Sequence, residues 1–170
     1  MHKPKGERAD SMSRNGPIKI KVRAIIRRGG DVLLSFAIDP ASGVRYGRFL
    51  GGAIEFGERA ADTVRRELHE EIGLELGDVA PLGVVEDVCE WGGRLHHEIT
   101  FAFDATFADP TAYQRESFFV NETVCDGPAV WVPVERLTSG EIPLYPPELV
   151  RVLDRFNGPT LRCVSSSNPQ

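Results

Sequence analysis

The sequence predicts an α/β domain, with helices packed on opposite sides of mixed β structure. Apolar and polar residues alternate over 18–26 as Ile18, Ile20, Val22, Ala24 and Ile26, the period of a half-buried strand. A run ending at Gly73 repeats instead at helical spacing, placing Ala61, Val64, Leu68 and Ile72 on one stripe. A second helical stripe, Leu149, Val152, Leu153 and Phe156, spans residues 148–156. Strands therefore come before and after one central helix, and another helix closes the domain.

Residues 1–17 are polar and carry no periodic apolar pattern, so they are expected to form a disordered leader. After the first strand, Arg27 to Asp31 supply turn chemistry and residues 32–36 return as its hairpin partner. The two arginines there are read as solvated, with phosphate contact as the alternative. Residues 39–47 hold Pro, Ser and two Gly and form a loop. Residues 48–50 make a short strand before the double glycine.

Beyond the central helix, residues 76–81 read as a connector and 82–91 as a strand. Gly92 and Gly93 turn the chain, and 95–107 resume with Ile99, Phe101 and Phe103 in alternation. Residues 108–126 read as an irregular or mobile excursion. A short strand follows at 129–134, and 134–137 read as turn-like. Three prolines hold 142–147 extended, with Pro147 placed to open the last helix. Gly158 and Pro159 close it, and 159–170 form a flexible tail. The folded domain is thus expected over 18–158.

A chain of 170 residues with 41% hydrophobic content is long enough for one domain with a real core. A net charge of −5 with no dominant basic patch argues against a nucleic-acid polymer as partner. It does not exclude a small phosphorylated substrate, because bound metal inverts the local sign of an acidic site. Cys89, Cys125 and Cys163 show no zinc-binding spacing and fit reduced thiols in a cytoplasm. No signal peptide and no bilayer-spanning apolar run is read from the sequence, so no membrane partner is expected.

The chemistry concentrates in residues 51–74, GGAIEFGERAADTVRRELHEEIGL. Glu67 and Glu71 lie four apart and Glu67 and Glu70 three apart, so these carboxylates share a helix face away from the apolar stripe. Like charges at these spacings cost about 0.2–0.5 kcal/mol per pair. Clustered oxygen donors on a rigid element suit a hard divalent cation, Mg2+ or Mn2+. On spacing alone, a solvated acidic face is the competing reading.

The full spacing is more specific. Gly52 is followed after five residues by Glu58, and after seven more by Arg66-Glu67-Leu68, His69, Glu70-Glu71, Ile72 and Gly73-Leu74. This resembles the Nudix box, with every fixed position filled. Softer likenesses to Nudix members lie in HHEITFAF, WVPVERL and LYPPEL. The resemblance implies an α/β/α sandwich with a mixed sheet. It implies a metal-dependent hydrolase that cleaves the pyrophosphate of a nucleoside diphosphate linked to another group. It implies that Glu67, Glu70 and Glu71 bind the metal with the Gly51 carbonyl. Glu58 and Arg66 would brace loop against helix, with Gly52 and Gly73 as structural glycines. A homodimer is a further expectation by family analogy.

The base stays open between Glu67 and Glu70 within the box and Glu98 outside it. Alternation puts Glu98 on the Thr100 side of its strand, where it is either functional or a solvated residue. Glu116 and Glu122 are weaker candidates. Phe49, Trp91, Phe119 and Tyr145 are candidate platforms for a base, and Arg45, Arg48 and Arg94 candidate phosphate contacts. Leu50 stands where a proline often precedes the double glycine. Val88, Cys89 and Glu90 support neither the ADP-ribose nor the dinucleoside polyphosphate subclass. Two rivals remain: a catalytically silent nucleotide-sensing module of the same fold, and an acidic helix that binds a basic partner. The first predicts loss of box acids, the second binding that weakens with salt and ignores Mg2+.

Overall fold

The computed structural model describes residues 16–91 and 94–154, with only the backbone of Trp91 and Asp154. The expected leader up to residue 15, the turn at 92–93, Phe156, the helix stop at 158–159, Cys163 and the tail lie outside the described residues.

Seven strands and three α-helices are described: β1 (Lys19–Arg28), β2 (Asp31–Ile38), β3 (Arg45–Arg48), α1 (Ala60–Ile72), β4 (Leu76–Trp91), β5 (Arg94–Phe107), β6 (Ser117–Phe118), β7 (Ala129–Pro133), α2 (Val134–Thr138) and α3 (Leu149–Asp154). The strands form one mixed sheet in the order β4-β5-β1-β2-β7-β6, with β3 added to β2. β1 runs parallel to β5, pairing Lys19 with Glu98 through to Ile26 with Ala105. The remaining pairs are antiparallel.

Each face of the sheet carries its own core. On one face Val22, Ala24, Ile26, Leu33 and Phe103 pack with Val64 and Leu68 of α1. On the other, Ile25, Leu34, Phe36, Phe49 and Ala102 pack with Leu137 of α2 and Leu149, Val152 and Leu153 of α3. The architecture is therefore the expected α/β/α sandwich.

This layering corrects the reading of β1 as half-buried. Helices cover both faces, so Arg23 and Ile25 are buried along with Val22, Ala24 and Ile26. Ile18 and Ile20, ahead of the covered stretch, are exposed instead. The stripe of α1 also differs: Thr63, Val64, Leu68 and Glu71 are buried, while Ala61 is exposed. The helix is rotated so that two polar side chains with loop partners turn inward.

Residues 76–81 are strand rather than connector, and β4 continues through two register shifts against β5. One shift lies beside Pro81, whose missing N–H cannot serve the ladder. Residues 134–138 form α2 rather than a turn, because Leu137 is buried in the second core. The excursion after β5 contains a 3-10 turn, Pro110–Gln114, and β6. It is fastened rather than loose: the Asn121 N–H donates to Glu71 O and the Asp126 N–H to Phe36 O, each at 2.7 Å. Val120, next to the first of these ties, is buried.

Candidate active site

The loop before α1 lies along β1. The Val22 and Ala24 N–H groups donate to Gly52 O and Leu50 O at 2.9 Å, and the Ile54 N–H donates to Ile20 O at 3.0 Å. That close approach is what the double glycine permits. Gly51 has φ +129°, and a side-chain carbon there would stand 2.4 Å from the Val22 carbonyl oxygen. At Gly52 the same carbon would meet the Glu67 carboxylate at 2.4 Å, so this acid lies directly on the loop backbone.

The Gly51 peptide is held from both ends. Its N–H donates to Glu71 Oε2 at 2.8 Å, and its carbonyl accepts from Arg23 Nη1. Glu71 is 6% exposed. Burial pushes its carboxyl up to about 7, against the pull of the Arg23 cation and the Gly51 N–H. Arg23 is 2% exposed, and burial, with the neighbouring Arg48 cation, lowers its pKa.

Arg66 ties the helix to the loop. Its Nε and Nη2 donate to the two oxygens of Glu58 at 2.7 and 3.0 Å, and Nη2 reaches Ala53 O at 3.2 Å. Its Nη1 donates to both Glu67 and Glu70 at 3.0 Å. Glu58 also accepts from Thr63 Oγ1 at 2.9 Å and the Glu55 N–H at 3.2 Å. The Arg66 bonds, ahead of these others, hold its carboxyl down at about 2. Gly73 takes φ 70° past the end of α1 and its N–H donates to His69 O.

The three box acids thus point differently: Glu71 inward to Gly51, Glu67 onto Gly52, and Glu70 outward with its side chain 57% exposed. Among the described residues, no three His, Cys, Asp or Glu side chains gather closely enough to hold a metal ion. The donor chemistry nonetheless fits one. Glu67 and Glu70 already share a single cationic nitrogen, and carboxylate oxygens are the donors that hard divalent cations prefer. The Gly51 carbonyl is turned to Arg23, though an oxygen with two lone pairs retains one.

Beside this centre opens a pocket of about 240 Å3, lined by residues that include Lys21, Arg23, Arg48, Glu98, Glu122 and Tyr145. Glu98 is 3% exposed and paired with Lys21 Nζ at 2.8 Å. Its strand phase is as expected, and it lines this pocket, where Glu98, Glu67 and Glu71 all act on the Arg23 cation. Arg48 lies in the pocket wall and pairs with Glu122. Tyr145 lines it with Tyr46, the two rings 5.8 Å apart and edge-on at 64°.

The other recognition candidates fare differently. Phe49 is 0% exposed within the second core, so no ring face is left for a base and that expectation is corrected. Arg94 is exposed and lines a neighbouring depression with Lys19 and His96. The Trp91 side chain lies outside the described residues. Phe119 is exposed at a separate surface hollow, and Arg45 pairs with Asp126 at 2.7 Å. Arg27 pairs with Asp104 at 2.8 Å. Arg28 lies 4.6 Å over the Trp131 ring and serves structure rather than phosphate.

Sequence reasoning missed Arg23. The signal was present: Lys19, Lys21 and Arg23 occupy alternate positions of one strand, so three cations share a face. It was masked by the apolar residues at the intervening positions.

These features define a three-layer α/β/α protein whose acids cluster on one loop–helix unit. The sequence model described as the NUDIX domain matches residues 17–156. The chain belongs to the Nudix family, and it is a hydrolase acting on phosphorus anhydrides of small molecules. Solved structures agree in fold. A MutT NUDIX hydrolase from Burkholderia pseudomallei is 23% identical with TM-score 0.56, over 71% of this chain and 86% of that one. A NUDIX hydrolase from Nitrosomonas europaea is 19% identical with TM-score 0.57, over 83% and 89%. The E. coli ORF135 protein is 25% identical with TM-score 0.53, over 90% and 100%. No match was found among curated proteins. No described helix is long and apolar enough to cross a membrane.

Proposed function

We propose that the protein hydrolyses the pyrophosphate linkage of a nucleoside diphosphate joined to a second group, in a reaction that depends on Mg2+ or Mn2+. The observation that carries this reading is the pairing of Glu67 and Glu70 with one cationic nitrogen beside the glycine loop. Glu67, Glu70 and Glu71 would hold the ion, with the free lone pair of the Gly51 carbonyl as a further donor. When bound, the ion supplies positive charge against the phosphates and makes a water more acidic.

The chain's own groups supply the rest. Glu67, seated on Gly52, and Glu70, the most exposed of the three, are the candidates to take the proton of the attacking water. The water oxygen bonds to phosphorus as the bridging P–O bond breaks, giving a nucleoside monophosphate and a phosphorylated second group. Arg66, anchored on Glu58, fixes the position of Glu67 and Glu70. Lys19, Lys21, Arg23 and Arg48 give the adjoining pocket a cationic lining that draws in a phosphorylated substrate. Glu98 is not given the proton role, because Lys21 holds it in that pocket. A cytoplasmic setting suits Cys89 and Cys125, both free thiols.

The test is phosphate-coupled turnover over nucleoside triphosphates, nucleotide sugars, ADP-ribose and dinucleoside polyphosphates, with Mg2+ and with Mn2+. Wild type should cleave at least one class only with metal, and Glu70→Gln should not. Metal binding without cleavage of any compound would favour the silent, sensing module instead.

A further inference from the structure

The pocket beside Gly51 contains an unusual set of incomplete polar groups. Arg23 Nε, Arg48 Nε and Glu98 Oε2 are buried and have no hydrogen-bond partner among the described residues. All three residues line the same pocket. Arg23 is 2%, Glu98 3% and Arg48 9% exposed, so bulk water does not satisfy these atoms. Such orphans are uncommon in folded proteins, and each costs stability unless something completes it.

Their chemistry is mixed. The two arginine nitrogens are donors and want an acceptor, best an anionic oxygen. Arg23 forms no ion pair with a carboxylate among the described residues, so the floor holds a buried cation without a direct counter-ion. Glu98 Oε2 is an acceptor and wants a donor. A ligand that completes all three carries anionic oxygen and a hydroxyl or N–H group close together.

Size and shape narrow the choice. A pocket of about 240 Å3 falls below the range of about 300–1,000 Å3 for whole drug-sized ligands, so it takes a fragment of the substrate. Its two tyrosines pack edge-on against each other rather than as parallel plates around a flat base. The Gly51 peptide, held by Arg23 on one side and Glu71 on the other, joins the pocket floor directly to the acidic helix. The fragment is therefore the part of the substrate next to the cleaved linkage.

We propose that this pocket binds the phosphorylated second group, that this group is sugar-like, and that the preferred substrates are nucleotide sugars. Its phosphate completes Arg23 and Arg48, and one of its hydroxyls completes Glu98. Arg23, Arg48 and Glu98 thus determine specificity, whereas the box acids carry the cleavage. The inference rests on the hydrolase reading above.

The experiment is isothermal titration with glucose 1-phosphate, inorganic phosphate and adenosine, in Mg2+, for wild type, Arg48→Gln, Arg48→Lys and Glu98→Gln. Thermal melts confirm that each variant is folded. Arg48→Gln should weaken glucose 1-phosphate by about tenfold or more, with partial recovery in Arg48→Lys. Glu98→Gln should weaken glucose 1-phosphate while leaving inorganic phosphate unchanged, a contrast that general loss of structure does not produce. Unchanged glucose 1-phosphate binding in both variants, no binding of it by wild type, or adenosine binding that tracks the same residues would overturn the inference. Turnover by wild type separates this failure from that of the hydrolase reading. The first leaves anhydride cleavage with no preference for nucleotide sugars; the second leaves no metal-dependent cleavage at all.

Discussion

Two polar regions meet at the Gly51 peptide, and they are built in opposite ways. On the helix side, Glu58, Arg66, Glu67 and Glu70 come from one short stretch and stay partly exposed. On the pocket side, Arg23, Arg48, Glu98 and Glu122 come from four separated segments, and three of them are buried. The helix side completes its own hydrogen bonds through Arg66, whereas the pocket side leaves three buried atoms unpaired among the described residues. A self-completed cluster reads as machinery already in place. An incomplete one reads as a receptor for something the substrate brings.

The comparison can be broken most decisively at Glu70. Because its side chain is 57% exposed, Glu70→Gln should leave the melting temperature unchanged. Cleavage should fall by about 10²–10⁴, the usual worth of a proton-transfer group. A comparable fall in stability would show that this side is structural. Next comes the shared peptide: Gly51→Ala places a carbon 2.4 Å from the Val22 oxygen at φ +129°. Urea unfolding should register a loss of about 2–4 kcal/mol, as expected for backbone strain in a packed position.

Arg66→Ala should have a smaller effect on stability, about 1 kcal/mol, since its ion pairs are partly solvated. Its activity loss should exceed what that cost explains, because Glu67 and Glu70 lose their common anchor. The smallest effect concerns pH. The Glu58 carboxyl titrates near 4.5 when unfolded and at about 2 when held by Arg66, so its stabilising contribution is complete above 4.5 and lost as pH falls toward 2. Urea midpoints of wild type and Glu58→Gln should therefore differ by a constant amount near neutrality and converge in acid.

The same contrast explains what was legible in the sequence. Spacing within the box forms local structure, so the acids of α1 and the turn at Gly73 could be read from residue order, whereas the seating of Glu67 on Gly52 came only with the structure. The period-2 phase of Glu98 could be read as well. The rotation of α1 could not, because it leaves Ala61 exposed and turns Thr63 inward, where its hydroxyl bonds to Glu58 in the preceding loop. Nor could the burial of Phe49, which depends on α2 and α3 closing over the far face of the sheet. The pocket needed β1, β3 and β5 in register, and no single window of sequence contains them.

The central claim is that the acids of α1 hold a divalent cation for catalysis. Its most direct test is Mn2+ titration followed by electron paramagnetic resonance, on wild type and Glu67→Gln. The account predicts saturable Mn2+ binding by wild type, displaced by Mg2+, and its loss in Glu67→Gln. Equal binding by both proteins, or none by wild type, would contradict it.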